Sequence, residues 1–281
     1  MTRKCLAFGN NVCGNLDPSN SVPILYEPVD VTDAIGCDEI VWHGWSCSVG
    51  RDNLTNRYQA WGIDPIVTSP KRISSLVIDA PLKKILGFDR PVGFLAQDGH
   101  VHSFDGAQSS EQWDDVSVTG MGAAYAFRAG KALVVFESLE ALIADQNPTR
   151  LLHPLLNDSI PTSIYAAESR VFIHTRGNAA HVLEVLTDHR AIGLSQKPTL
   201  QVVDDLEGLG TLSIVSGSSN RIAVVTNAGD AYLFSKGSKR PESLVLKDEE
   251  ADATVRMIGL GSEFEALVTE NNVWTALANL A

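Results

Sequence analysis

Three observations predict an all-β fold of the β-propeller kind for this chain. A unit of three strand-length apolar runs recurs along its 281 residues, tight-turn residues punctuate the units at matching places, and helical periodicity is scarce. With 44% hydrophobic residues the chain can bury a large core, so disorder is excluded and one domain spanning residues 1–281 is expected.

The elements follow in order. Leu6-Ala7-Phe8-Gly9-Asn10-Asn11 forms an isolated first strand. The first full copy begins at Ile40-Val41-Trp42-His43-Gly44 and finishes at Tyr58-Gln59-Ala60-Trp61-Gly62. The second runs from Lys84-Ile85-Leu86-Gly87 through Val92-Gly93-Phe94-Leu95 to Val101-His102-Ser103-Phe104, with Asp98-Gly99 as a hairpin turn. Two degraded copies start at Val116-Ser117-Val118-Thr119-Gly120 and Ser163-Ile164-Tyr165-Ala166-Ala167. The fifth is the clearest: Leu212 to Gly217, Ile222 to Thr226, the turn Asn227-Ala228-Gly229, then Ala231-Tyr232-Leu233-Phe234. Val255 to Gly259, Glu265 to Thr269 and Val273 to Leu277 make the sixth. Reference small residues fall roughly 33 to 50 residues apart, inside the range of propeller blades. Each copy is a small sheet with two faces to cover, so copies must stack. Helical spacing is best at Ser138-Leu139-Glu140-Ala141-Leu142-Ile143-Ala144-Asp145, read as a short helix in an inter-blade loop.

The motif of apolar run, Gly, turn, apolar run, Asp-Gly and aromatic resembles the blade of the regulator-of-chromosome-condensation family. The first strand, Leu6 to Asn11, is similar to that family's blade-ending strand. The resemblance spans most of the chain and is weak between about Thr119 and Pro198. It departs from the family at the histidine after the first glycine, where Cys47, Arg90, Arg170 and Asn220 stand at or near its place. The resemblance implies seven blades, against six discernible copies, with the first strand closing the ring on the C-terminal copy and so removing a free edge.

Charge and composition exclude several function classes. A net charge of -12 disfavours a sequence-independent grip on nucleic acid or an anionic membrane. No segment approaches the ~18 apolar residues of a membrane span, and the N-terminal apolar stretch is too short for a secretory signal, so a cytosolic or nuclear protein is expected. Cys5, Cys13, Cys37 and Cys47 contain no C-x-x-C pair and read as reduced, mostly buried thiols in preference to a zinc site. The G-x-G fragments at Gly120, Gly208 and Gly259 lack both a third glycine and a following helix. His100 and His102 alternate on one strand face and could clamp a metal, but no third ligand accompanies them. Asp114-Asp115, Asp204-Asp205 and Glu249-Glu250 read as solvated turns. No catalytic residue, metal or cofactor is predicted.

One arrangement points to a partner. Arg90, Arg170 and Arg221 follow the reference small residues of three copies by three or four positions, which predicts equivalent loops on one end of the ring. Together they could face an acidic protein; alternatively each pairs locally with a residue such as Asp89 or Glu168. Trp45 occupies the corresponding loop of the first copy, as an aromatic anchor or a packed core residue. The expected function is a non-catalytic scaffold that binds a protein. A resemblance to the alpha-tubulin-suppressor or killer-toxin-insensitivity subgroup implies an accessory role in wobble-uridine modification of tRNA and in diphthamide synthesis, through a small acidic zinc-binding protein. The founding member implies guanine-nucleotide exchange or chromatin docking instead. A propeller enzyme with a central-channel site is the third alternative.

Overall fold

In the computed structural model the described residues are 4–63, 74–76, 78, 80–128, 132–177, 180–186, 198–217, 220–235, 237–238, 240–244, 253–261, 264–270 and 274–278. The chain divides into two compact units, Met1–Ser110 and Glu111–Ala281.

In the first unit, β1 (Leu6–Asn10) pairs antiparallel with β2 (Ile24–Asp30) in a two-stranded sheet, and a single helical turn, α1 (Thr32–Ile35), follows. Next comes a four-stranded sheet of β3 (Glu39–His43), β4 (Cys47–Asp52), β5 (Arg57–Gly62) and β6 (Ser74–Leu76). A second holds β7 (Leu82–Gly87), β8 (Pro91–Ala96), β9 (His100–Ser103) and β10 (Gln108–Gln112), the last strand crossing the boundary between units. Cys47, Val49 and Ala60 of one sheet pack on Ile85, Phe94 and Ala96 of the next.

The second unit repeats the plan. Its sheets are β11 (Asp115–Val118) to β14 (Thr149–Leu151), with β12 (Ala124–Phe127) and β13 (Leu133–Phe136) between; β15 (Ser159–Ala166), β16 (Val171–Gly177), β17 (His181–Leu186) and β18 (Thr199–Val202); and β19 (Thr211–Gly217), β20 (Arg221–Thr226), β21 (Ala231–Phe234) and β22 (Glu242–Leu244). A three-stranded sheet of β23 (Val255–Leu260), β24 (Phe264–Thr269) and β25 (Trp274–Ala278) ends it.

Strands are hydrogen-bonded in chain order within every sheet, the meander that blades require. Second strands are covered on both faces by stacking: all six residues of β20 are buried, which is why Arg221-Ile222-Ala223-Val224-Val225-Thr226 reads as a nearly continuous apolar run. A register shift recurs between the first and second strands of five sheets, at Ile40/Trp42, Leu82/Lys84, Pro161/Ser163, Thr211/Ser213 and Val255/Met257. Such bulges sharpen strand twist, so the repeat is one of backbone geometry as well as of sequence. The turns match too: Gly99 and Gly229 both sit at φ +90, their amides bonded to the carbonyls of Ala96 and Thr226.

Three expectations are corrected. The described residues hold five four-stranded blades, not six or seven; the remaining strands form the three-stranded and two-stranded sheets. The three-strand repeat unit is completed by a fourth strand, short and largely exposed, as in β10 and β22. The predicted helix exists as α2 (Leu139–Ile143), capped by the Ser138 hydroxyl accepting from the Ala141 amide, but it joins β13 to β14 within a blade and does not connect two blades.

Candidate functional site

The first unit brings Trp45 and Arg90 together. Gly44, between β3 and β4, packs so tightly on the turn before β8 that a Cβ built on it would lie 2.4 Å from the Asp89 carbonyl oxygen. Trp45 and Arg90 are the next residues along each chain segment, and so share one end of this unit. Trp45 is 56% exposed, which decides between its two readings: it is a surface aromatic, not a core one. The apolar residue that fills the core of this sheet is Trp61, 1% exposed, with its Nε1 donating to the Asn15 carbonyl at 2.8 Å.

The loop after β1 supports the Trp45 segment from beneath. Buried Asn11 organises that loop: its Oδ1 accepts from the amides of Leu16 and Asp17, and its Nδ2 donates to the carbonyls of Asp17, Asn20 and Val22. Asn15 then donates to the Gly44 carbonyl at 3.3 Å, and its own carbonyl accepts from the Ser48 hydroxyl at 2.6 Å. Ile63, 49% exposed, joins the same end because its amide bonds the Ser46 carbonyl at 2.7 Å. Sequence reasoning missed Ile63, whose position just after the strand end at Gly62 was its only signal.

Arg90 is exposed and makes no ion pair among the described residues. Its two counterparts in the second unit behave differently. Arg170, with its side chain 10% exposed, donates from Nε to Glu184 at 2.7 Å and from its terminal nitrogens to the carbonyls of Ser235 and Ser238 at 3.0 and 2.8 Å, while its guanidinium lies over the Phe234 ring. Arg221, 8% exposed, forms an ion pair with Glu265, itself 1% exposed, and donates to the Gly261 carbonyl at 2.9 Å. Burial draws Arg221 below the ordinary guanidinium range, with Glu242 opposing. Each therefore ties its own blade to the following sheet. Their pairing is internal, but with Glu184 of the same sheet for Arg170, with Glu265 of the next sheet for Arg221, and with carbonyls of the following sheet for both, in place of the neighbouring turn residues the sequence suggested.

The loop position before β20 is also put to use. Asn220, buried and at φ +60, accepts on its Oδ1 from the amides of Ser169 and Arg170 at 2.9 and 2.7 Å, joining two blades.

The other chemical-looking groups have structural roles. The His102 ring stacks on Phe94 with centroids 4.7 Å apart, and His100 Nδ1 meets the Ser109 carbonyl at 2.9 Å. Asp115 is buried, its carboxylate accepting from the amides of Val116 and Ile164, so this acid clamps adjacent blades and is no solvated turn. Asp204 and Asp205 open a 3-10 turn. Glu249 and Glu250 lie outside the described residues. Among the described residues no group of three or more His, Cys, Asp or Glu is placed to hold a metal ion, and no helix is long and apolar enough to cross a membrane.

No protein-family model matches the chain, and no curated protein matches it. Solved structures do. Prp20p from Saccharomyces cerevisiae, described with its binding properties to Gsp1p and histones, is similar at a TM-score of 0.65 and 13% identity, over 95% of this chain and 78% of that one. The same yeast RCC1 (Prp20) in complex with Kap60 gives 0.63 and 14%, over 100% and 77%. YCF48 from Cyanidioschyzon merolae gives 0.51 and 11%, over 90% and 85%. At these identities the likeness concerns the fold alone, and the fold is an all-β propeller.

Proposed function

We propose that this chain is a non-catalytic propeller scaffold that docks a protein partner on the end of its first unit carrying Trp45, Ile63 and Arg90. The observation that carries the reading is the junction of Gly44 with Asp89. It joins two loops 45 positions apart in the sequence, one carrying an exposed tryptophan and the other an exposed arginine, on a framework of strands. Tryptophan and arginine are the residue types most enriched among interface hot spots. Arg90 is available to an acidic partner because, unlike Arg170 and Arg221, it is not engaged by a following sheet.

That Prp20p is described with Gsp1p, histones and Kap60 makes protein docking a natural use of this fold. A narrower form of the proposal follows from the subgroup resemblance: an accessory factor in tRNA wobble-uridine modification and diphthamide synthesis, with a small acidic zinc-binding protein meeting Arg90.

The test is affinity purification from the native cell with the wild-type chain and with a Trp45→Ala, Arg90→Glu double variant, followed by titration of any stoichiometric partner at two ionic strengths. The double variant should bind at least about tenfold more weakly while melting like the wild type, because both side chains are exposed. Rising salt should weaken wild-type binding by screening Arg90. Unchanged affinity in the double variant overturns the assignment.

A further inference from the structure

The four cysteines are not equivalent. Cys13, Cys37 and Cys47 are buried, whereas Cys5 is partly exposed. Cys5 and Cys37 belong to one small core cluster, with Ala7, Leu25, Val31, Ile35 and Trp61, beneath the β1–β2 hairpin. The backbone around them is tied: the Cys5 amide donates to the Thr32 hydroxyl at 2.8 Å, and the Val31 amide donates to the Cys5 carbonyl at 2.9 Å. The Cys5 thiol points at Cys37, with its Sγ 3.8 Å from the Cys37 carbonyl oxygen. Cys37 in turn lies against Gly50 of β4, where a Cβ would come within 2.9 Å of its Sγ, so the absent side chain leaves the thiol room.

We propose that Cys5 and Cys37 are a thiol-modification site at which a low-molecular-weight disulfide is exchanged for an intramolecular one. The chemistry balances in two steps. The Cys5 thiolate, the more accessible of the two, attacks one sulfur of the small disulfide, forming a mixed disulfide and releasing one small thiol. The Cys37 thiolate then attacks the Cys5 sulfur, forming the Cys5–Cys37 bond and releasing the second small thiol. Two protein thiols are oxidised, one small disulfide is reduced to two thiols, and the two protons lost by the cysteines end on those thiols. The Cys37 side chain turns from Gly50 toward Cys5 to complete the bond.

Burial, and after it the charges of Asp38 and Asp30, raise the Cys5 thiol above its ordinary value. Burial foremost, then Asp52, Cys5 and Asp38, push Cys37 up to about 11. Both thiols thus stay largely protonated at neutral pH, which slows every step that needs a thiolate, so the exchange calls for a raised disulfide pool. The bond would close a loop holding the whole β1–β2 hairpin and α1. That loop includes Asn15, which supports Gly44, so the modification would stiffen the base of the Trp45 segment.

The experiment uses the full chain, incubated with oxidised glutathione under native conditions and then mapped by non-reducing peptide mass spectrometry. The expected result is a Cys5–Cys37 cross-linked peptide pair, loss of two of the four free thiols, a higher melting temperature, and reversal of all three by dithiothreitol. In Cys37→Ser, glutathione should remain attached to Cys5. Because Cys37 is buried and its variant could fail to fold, Cys5→Ser is the second arm: it should abolish the cross-link and leave the melting temperature insensitive to glutathione. Persistent glutathione on Cys5 of the wild-type chain without the cross-link overturns the proposal. So does a native cross-link involving Cys13 or Cys47.

Discussion

Gly44 and Asp89 are in backbone contact across two blades, and the contact leaves no space for a side chain: a Cβ at Gly44 would meet the Trp42 ring at 2.3 Å as well as the Asp89 carbonyl at 2.4 Å. Trp42 could swing its ring aside, but the carbonyl belongs to a turn fixed by the entry into β8. Gly44→Ala should therefore destabilise the first unit by about 1–3 kcal/mol, the cost of overpacking. It should also weaken partner binding, because it moves Trp45 away from Arg90. Thermal melts beside a titration of the purified partner test both effects; a variant as stable as wild type would show that the two loops are not held together by this contact.

The three repeat arginines should separate by their partners. Arg170→Leu removes the bonds to Ser235, Ser238 and Glu184 and leaves a partly buried carboxylate without its counter-charge. A loss of roughly 3 kcal/mol is expected. Arg90→Leu, on an exposed side chain, should change stability by less than about 0.5 kcal/mol. Urea denaturation of the two variants distinguishes them, and equal midpoints would mean that the inter-blade bonds of Arg170 contribute nothing.

Two glycines in one blade provide an internal comparison. A Cβ on Gly217 would stand 2.6 Å from the Leu260 Cβ of the following sheet, whereas one on Gly237 would meet nothing within 4 Å, although φ is +77 there. Gly217→Val combines a steric clash with lost stacking; Gly237→Val incurs mainly backbone strain of about 1–2 kcal/mol. The first should melt at the lower temperature, as measured by scanning calorimetry.

Neutral His174 is part of the folded state. Its Nδ1 lies 3.1 Å from the Thr162 hydroxyl, and burial first and the charge of Arg176 second lower its pKa. For a histidine whose folded pKa lies below the unfolded value, the unfolded chain binds more protons, so this stability is complete above about pH 6.5 and is lost as the pH falls toward the folded pKa. The melting temperature should thus decline from pH 7 to 5.5, and less steeply in His174→Gln. Parallel declines in the two proteins would assign the effect to other groups.

Trp45 and Arg90 were legible as candidates for one shared surface because the repeat alignment placed both in corresponding loops. The contact that joins them was not, since nothing near Gly44 in the sequence announces Asp89. Nor was the different fate of Arg170 and Arg221, which depends on whether the next sheet presents acceptors: Ser235, Ser238, Gly261 and Glu265 do so.

The sequence by itself determined the β class, the repeated three-strand unit and its turns, because hydrophobic alternation and the positive φ of glycines such as Gly99 and Gly229 are local properties of neighbouring residues. Tertiary structure alone decided the rest. The fourth strands are short and carry few apolar residues, Leu244 alone in Glu242–Leu244; that segment is a strand because β21 offers it a free edge. The blade count follows from that pairing, and the same long-range packing decides which arginine is bound inward and which faces solvent, since acceptors for a guanidinium are supplied by chain segments dozens of residues away.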